Sequence, residues 1–209
     1  MDVTRIDPLV SQIQSRFGWK ISGQWNNAAL TAILQAGDQI ASYIHSLNQR
    51  DGDAIVRRHF PAQFIHSDWL GSLWFLKGKS FVFPRRVVRL APNFEIYQHP
   101  DWHVVHELGH VLDNAVRRLF PATFFGGGLA DRMIRDTGGR PQRCGLRFVP
   151  RSDYIERCTL MEHWEPIKSY GNTCVAEDFA ETFVWTLFSS YRVPPRRLDW
   201  MRAFLKSLE

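Results

Sequence analysis

The sequence predicts a two-lobed α+β fold. Residues 1–120 read as an N-terminal lobe of helices and a small mixed sheet, and residues 121–209 as a smaller, mainly helical lobe, with a cleft between them. Three observations lead there. Residues 28–47 carry helical periodicity, with Leu30, Ile33, Leu34, Ile40, Ile44 and Leu47 on one stripe. Residues 62–97 break into short apolar or alternating runs punctuated by Gly and Pro, which is the signature of strands. Two further helical stretches, 100–119 and 175–189, then frame a long segment with no clear period.

Taken in order, residues 1–27 are a lead-in with a short helix and a turn around Phe17-Gly18-Trp19 and Ile21-Ser22-Gly23. Asn26 or Asn27 can cap the helix over 28–47, because a short polar side chain accepts from the first free N–H groups. Asp53–Phe60 is a short helix stopped by Pro61. The strand candidates are Phe64-Ile65, Leu73–Leu76, Phe81–Phe83 and 86–90, with a hairpin turn at Lys77-Gly78-Lys79. In the next helix Pro100 suits the first position and Asp101 the first turn, where the dipole favours an anion. Its apolar stripe is Val104, Leu108, Val111, Leu112, Ala115 and Leu119, and Phe120-Pro121 ends it. Leu129–Asp136 is a short helix closed by Gly138-Gly139, whereas Arg140–Arg157 reads as a basic loop. Gly126-Gly127-Gly128 lacks the Lys-Ser/Thr of a phosphate-binding loop.

Composition narrows the function class. Fifteen Phe and eight Trp predict an aromatic-rich core, and the formal net charge of +5 is met by a solvated basic face. No zinc-finger spacing or nucleic-acid motif accompanies that charge, so no nucleic-acid partner is expected. There is no apolar run long enough for a membrane-spanning helix. The N-terminus has no secretory pattern, which reads as cytoplasmic unless a leader was trimmed or export is leaderless. Three cysteines, Cys144, Cys158 and Cys174, form no C-x-x-C pair and no disulfide framework, leaving a Cys144–Cys158 bridge open. Nothing fixes the oligomeric state.

The chemistry sits in His106-Glu107-Leu108-Gly109-His110. On a helix, positions i and i+4 share a face, so both imidazoles can grip one metal ion. Glu107 follows the first ligand, where it can take a proton from an attacking water; this is the HExxH pattern of zinc peptidases. Gly109 costs helix stability relative to alanine, which points to a packing or access requirement. Asp113 stands three residues past His110, either to receive that ring's spare N–H or as a contact on the helix surface. His103 is read as a packing or capping residue, and His45, His59 and His66 as surface or packing residues.

A catalytic zinc site needs a third protein ligand. Glu177 and Glu181 are four apart (181 − 177) on a helix that Asn172 or Thr173 can cap. One carboxylate can ligate; the other can hold a ligand histidine in its tautomer from behind.

These two blocks resemble the gluzincin peptidases of the anthrax lethal factor type, a group that also includes the Pro-Pro endopeptidases and the Mlc titration factor. The matching residues are His106–His110 with Asp113, and Ser169-Tyr170-Gly171 followed by Ala176-Glu177 and Phe179-Ala180-Glu181. The tyrosine stands seven residues before the glutamate (177 − 170). The resemblance implies one zincin-like catalytic domain that cleaves peptide bonds. It implies that His106, His110 and Glu177 bind Zn2+, that Glu107 is the general base, that Tyr170 stabilises the oxyanion, and that Glu181 and Asp113 support the ligands. The substrate would be a peptide or protein bound in extended form along an edge strand, for which 86–91 is the candidate. Position 178 departs from the pattern: Asp178 replaces an apolar or aromatic residue and is expected to face solvent. Two other readings fit the motif: a cytoplasmic regulatory protease of the ImmA/IrrE kind with a single protein substrate, and a zinc-stabilised binding module without catalysis.

Overall fold

A computed structural model of the chain describes residues 7–66, 80–82, 86–91, 93–115, 128–139 and 175–209. It is a mixed, mostly helical α+β structure with one small sheet. The elements are α1 (Pro8–Phe17), β1 (Lys20–Ser22), α2 (Asn27–Asn48), α3 (Gly52–His59), β2 (Gln63–His66), β3 (Phe81–Val82), β4 (Val87–Leu90), α4 (Pro100–Ala115), α5 (Leu129–Asp136), α6 (Val175–Phe188) and α7 (Pro195–Lys206). Short 3₁₀ turns at Phe94–Ile96 and Ser190–Arg192 lead into α4 and out of α6.

Local chemistry sets the boundaries. Asn26 caps α2 by accepting from Ala29 N at 2.8 Å, and Asp51 caps α3 by accepting from Ala54 N at 3.1 Å. The sequence places the end of the 175–189 helix before Pro194-Pro195 and assigns no element after it, so helix α7 is an addition. Pro195 instead opens α7 at its first position, where a missing N–H costs nothing.

Strand order is β1-β2-β4-β3, with β1–β2 and β2–β4 parallel and β3–β4 antiparallel. This corrects the placing of the substrate strand at 86–91: β4 is paired on both sides, so its backbone groups are occupied. Among the described residues β3 is the edge on that side of the sheet. The strand candidate at Leu73–Leu76, the turn at 77–79 and Phe83 lie outside the described residues, as do the basic segment 140–157 and all three cysteines.

The core is aromatic, as the composition predicts. Trp19 packs between Phe17 and Phe64, and its indole N–H donates to Phe60 O at 2.7 Å. One continuous cluster of buried side chains runs from Ile13 to Leu208. Helix α4 crosses it with every residue from Val104 to Asn114 buried. The expected polar side of that helix is therefore also enclosed, while Ala115, assigned to the apolar stripe, is exposed.

Candidate metal centre

Two helices build the site. Helix α4 brings His106 and His110 onto one face, rings 5.0 Å apart and at 82° to each other. Helix α6 lies against α4 and brings Glu177. The close approach depends on Gly109: a Cβ there would stand 3.1 Å from Ala180 Cα and 3.4 Å from Phe183 Cδ1. The helix-weakening glycine therefore has a packing reason, since a hydrogen in place of a methyl lets the backbones meet at the level of the ligands.

His106, His110 and Glu177 each offer a donor atom, and the three donors lie within 4.8 Å of one another. Glu177 Oε2 stands 3.0 Å from His106 Nε2 and 3.4 Å from His110 Nε2. Two imidazoles and a carboxylate suit a divalent first-row ion. Burial pushes the His106 imidazole down, but its bonds to Glu177 and Glu181 outweigh that and lift it to about 10. Burial likewise raises Glu177, and the two imidazoles overcome it and hold the carboxyl well below the ordinary range. The arrangement favours positive charge where the donors converge, and a cation could take that place.

Glu181 occupies the other side of the ligand ring. Its Oε1 is 3.1 Å from His106 Nδ1, while its Oε2 accepts from Trp185 Nε1 at 3.0 Å. Trp185 had no place in the sequence-level site; its signal was the i, i+4 spacing from Glu181. Because a charged acceptor behind Nδ1 fixes the tautomer and orientation of His106, Glu181→Gln is expected to weaken metal binding by about 10–100-fold with the fold intact. Competition against a chromophoric chelator measures this; an unchanged affinity would reduce Glu181 to a partner of Trp185.

Glu107 is 4% exposed, and among the described residues its buried Oε2 has no hydrogen-bond partner. Burial raises its pKa, against the opposing pull of His110 and His106. It lines a cavity of about 760 Å³ together with His106, His103, Glu181 and Trp185. A buried carboxylate oxygen with no partner in its surroundings is uncommon in a folded protein.

Asp113 is buried, not a surface contact. Its Oδ1 accepts from Ala130 N at 2.8 Å. It thereby caps α5, whose N-cap Gly128 has no side chain to do so. Burial pushes this carboxyl up to about 6. The expectation that Asp178 faces solvent is wrong: it is fully buried, with Oδ1 2.7 Å from Arg197 Nη1 on α7. Glu177 is thereby flanked by a residue locked to the C-terminal helix. Tyr170, Asn172 and Thr173 lie outside the described residues.

His103 is a packing residue, as expected. Its Nε2 meets Ser80 Oγ at 2.6 Å, Phe94 stacks on it and Tyr97 meets it edge-on. Ser80 Oγ also accepts from Ala91 N at 2.8 Å, so the start of β3 is tied to α4. Burial, then the neighbouring His106, push the His103 imidazole down from 6.5 to about 4. Between those pH values the unfolded chain binds more protons. The stability His103 contributes is thus complete above pH 6.5 and lost as pH falls through 4. His103→Phe keeps the stacking and cannot titrate. Its unfolding free energy, from urea melts at stepped pH, should fall less steeply than wild type across that window; an equal slope would assign the titration elsewhere. His45 and His59 bond only to the carbonyls of Arg50 and Glu209 on the surface.

The fold and the site define a mixed α/β protein with a His-His-Glu cluster able to bind a metal ion. Comparison with protein families, curated proteins and solved structures finds no match. No described helix is long and apolar enough to cross a membrane.

Proposed function

We propose that the chain is a zinc-dependent endopeptidase of the gluzincin type, with a zincin-like arrangement of active-site helix and small sheet. The observation that carries this reading is Glu107: a buried carboxylate, one oxygen without a partner, next to the three-donor cluster and on the cavity wall. A site that only stabilised the fold would gain nothing from such a group, because an unpartnered buried carboxylate costs free energy.

His106, His110 and Glu177 would hold the zinc, which would supply polarisation of the scissile carbonyl and a water whose pKa is brought toward neutral. Glu107 then accepts the proton of the water that attacks the scissile carbonyl, and delivers it to the departing amine. Its burial raises its pKa, against the opposing pull of His110 and His106, as suits a group that takes and returns a proton. Glu181 keeps the His106 ring oriented throughout. The oxyanion role of Tyr170 rests on the family resemblance alone. For the substrate backbone, β3 now replaces 86–91: Ser80, just before it, lines the cavity, and β3 is the edge strand on that side among the described residues.

The test is digestion of a mixed peptide library, read by mass spectrometry, with the protein stripped of metal and then restored with zinc or magnesium. Internal cleavage that appears with zinc, is absent with magnesium and is lost on chelation supports the reading. One bound zinc with no cleavage would sink the general endopeptidase and leave the single-substrate regulatory protease and the binding module.

A further inference from the structure

The cavity that begins at His106 and Glu107 ends at a cation. We infer that Arg192 forms a subsite for a carboxylate of the bound peptide, either an acidic side chain near the scissile bond or the chain terminus. The cleavage part of this inference rests on the endopeptidase reading; the binding part does not.

Arg192 is the only guanidinium or ammonium group lining the cavity among the described residues. Its Cζ lies 4.9 Å from the Trp185 ring centre and 5.5 Å from that of Tyr191, and its Nε donates to the Tyr191 hydroxyl at 3.2 Å. Among the described residues no carboxylate pairs with it, so both terminal nitrogens are left to bond a planar anion side-on. Of the two carboxylates on the cavity wall among the described residues, Glu107 and Glu181, neither forms an ion pair with Arg192, and Glu181 is engaged by His106 and Trp185.

The guanidinium is also held in place. Trp185 carries it on one face and donates its N–H to Glu181, whose other oxygen meets His106. A short rigid chain thus sets the distance between the cation and the ligand ring, which is what a subsite needs to read one position along a peptide. The rim agrees with peptide binding. Among the described residues the exposed large hydrophobics, Ile96, Tyr97 and Tyr191, all belong to the two 3₁₀ turns and their flanks beside this cavity.

The experiment uses zinc-loaded Glu107→Gln protein and fluorescent peptide pools, acetylated and amidated at their ends, that carry a fixed Glu, Gln or Lys; one further pool has a free C-terminal carboxylate and no acidic residue. Anisotropy is expected to show the Glu pool bound about tenfold more tightly than the Gln pool. Adding Arg192→Glu should abolish that preference and favour the Lys pool, and Arg192→Gln should only abolish it. Arg132→Glu, an equal charge change at an exposed position of α5, should leave it intact. A preference shown instead by the free-terminus pool, and lost in Arg192→Glu, identifies the chain terminus as the source of the carboxylate. No anionic preference, or one that survives Arg192→Glu, overturns the subsite. Wild-type digestion of the same pools separates the two readings: cleavage without preference for either carboxylate-bearing pool sinks the subsite alone, whereas Arg192-dependent binding without cleavage sinks the endopeptidase alone.

Discussion

Glu107→Gln is expected to keep its metal and lose turnover by at least about a hundredfold, the lower end of what a positioned proton carrier contributes. The amide is isosteric and neutral, and it removes a carboxylate that burial already pushes toward its protonated form. The variant should therefore melt at or above the wild-type temperature. Activity and stability moving in opposite directions is the mark of a functional group held at a cost to the fold. Peptide turnover, bound zinc and the thermal midpoint measured on one preparation check this. Retained turnover would remove Glu107 from the chemistry, and lost zinc would make it a structural element of the site.

Glu177→Ala should strip the metal. The three donors lie within 4.8 Å of one another, and losing the only carboxylate among them leaves two imidazoles on one helix. The affinity should fall by more than about 100-fold, beyond the range for a residue that acts behind a ligand. Glu177 is partly exposed and outside the apolar core, so the metal-free fold should survive. The comparison with Glu181→Gln is decisive because the two carboxylates hold opposite nitrogens of the same ring, Glu177 at Nε2 and Glu181 at Nδ1. If Glu181→Gln cost more zinc than Glu177→Ala, the ligand assignment would be reversed.

The two ligand-bearing helices were legible because each rests on a local rule. His106 and His110, and then Glu177 and Glu181, obey the four-residue spacing that puts side chains on one face. The helix caps at Asn26 and the α+β class are local in the same sense. Contacts between distant elements were not legible. Asp178 looked solvated because its partner, Arg197, sits nineteen residues on (197 − 178) in a helix whose opening prolines read as a stop. For Asp113 the four-residue rule leaves open a contact with His110 or the helix surface, and it cannot show that Asp113 accepts from Ala130 N across a gap between helices. The interior position of β4 follows from parallel pairing with β2, which no short apolar run encodes.

Gly109 lets α4 and α6 touch, and that contact joins parts of the chain 71 residues apart (177 − 106). A metal held by His106 and Glu177 is then a cross-link as well as a cofactor. It closes a loop that includes the whole stretch between α5 and α6. A covalent tie over a loop of that length would restrict the unfolded chain by about 4 kcal/mol on chain-entropy grounds. A coordinate bond that forms only in the folded state acts by mass action instead, more strongly as free metal rises above its dissociation constant. Metal supply would then govern how long the molecule persists as well as how fast it works, and a starved copy would be the first to open along the seam between these helices.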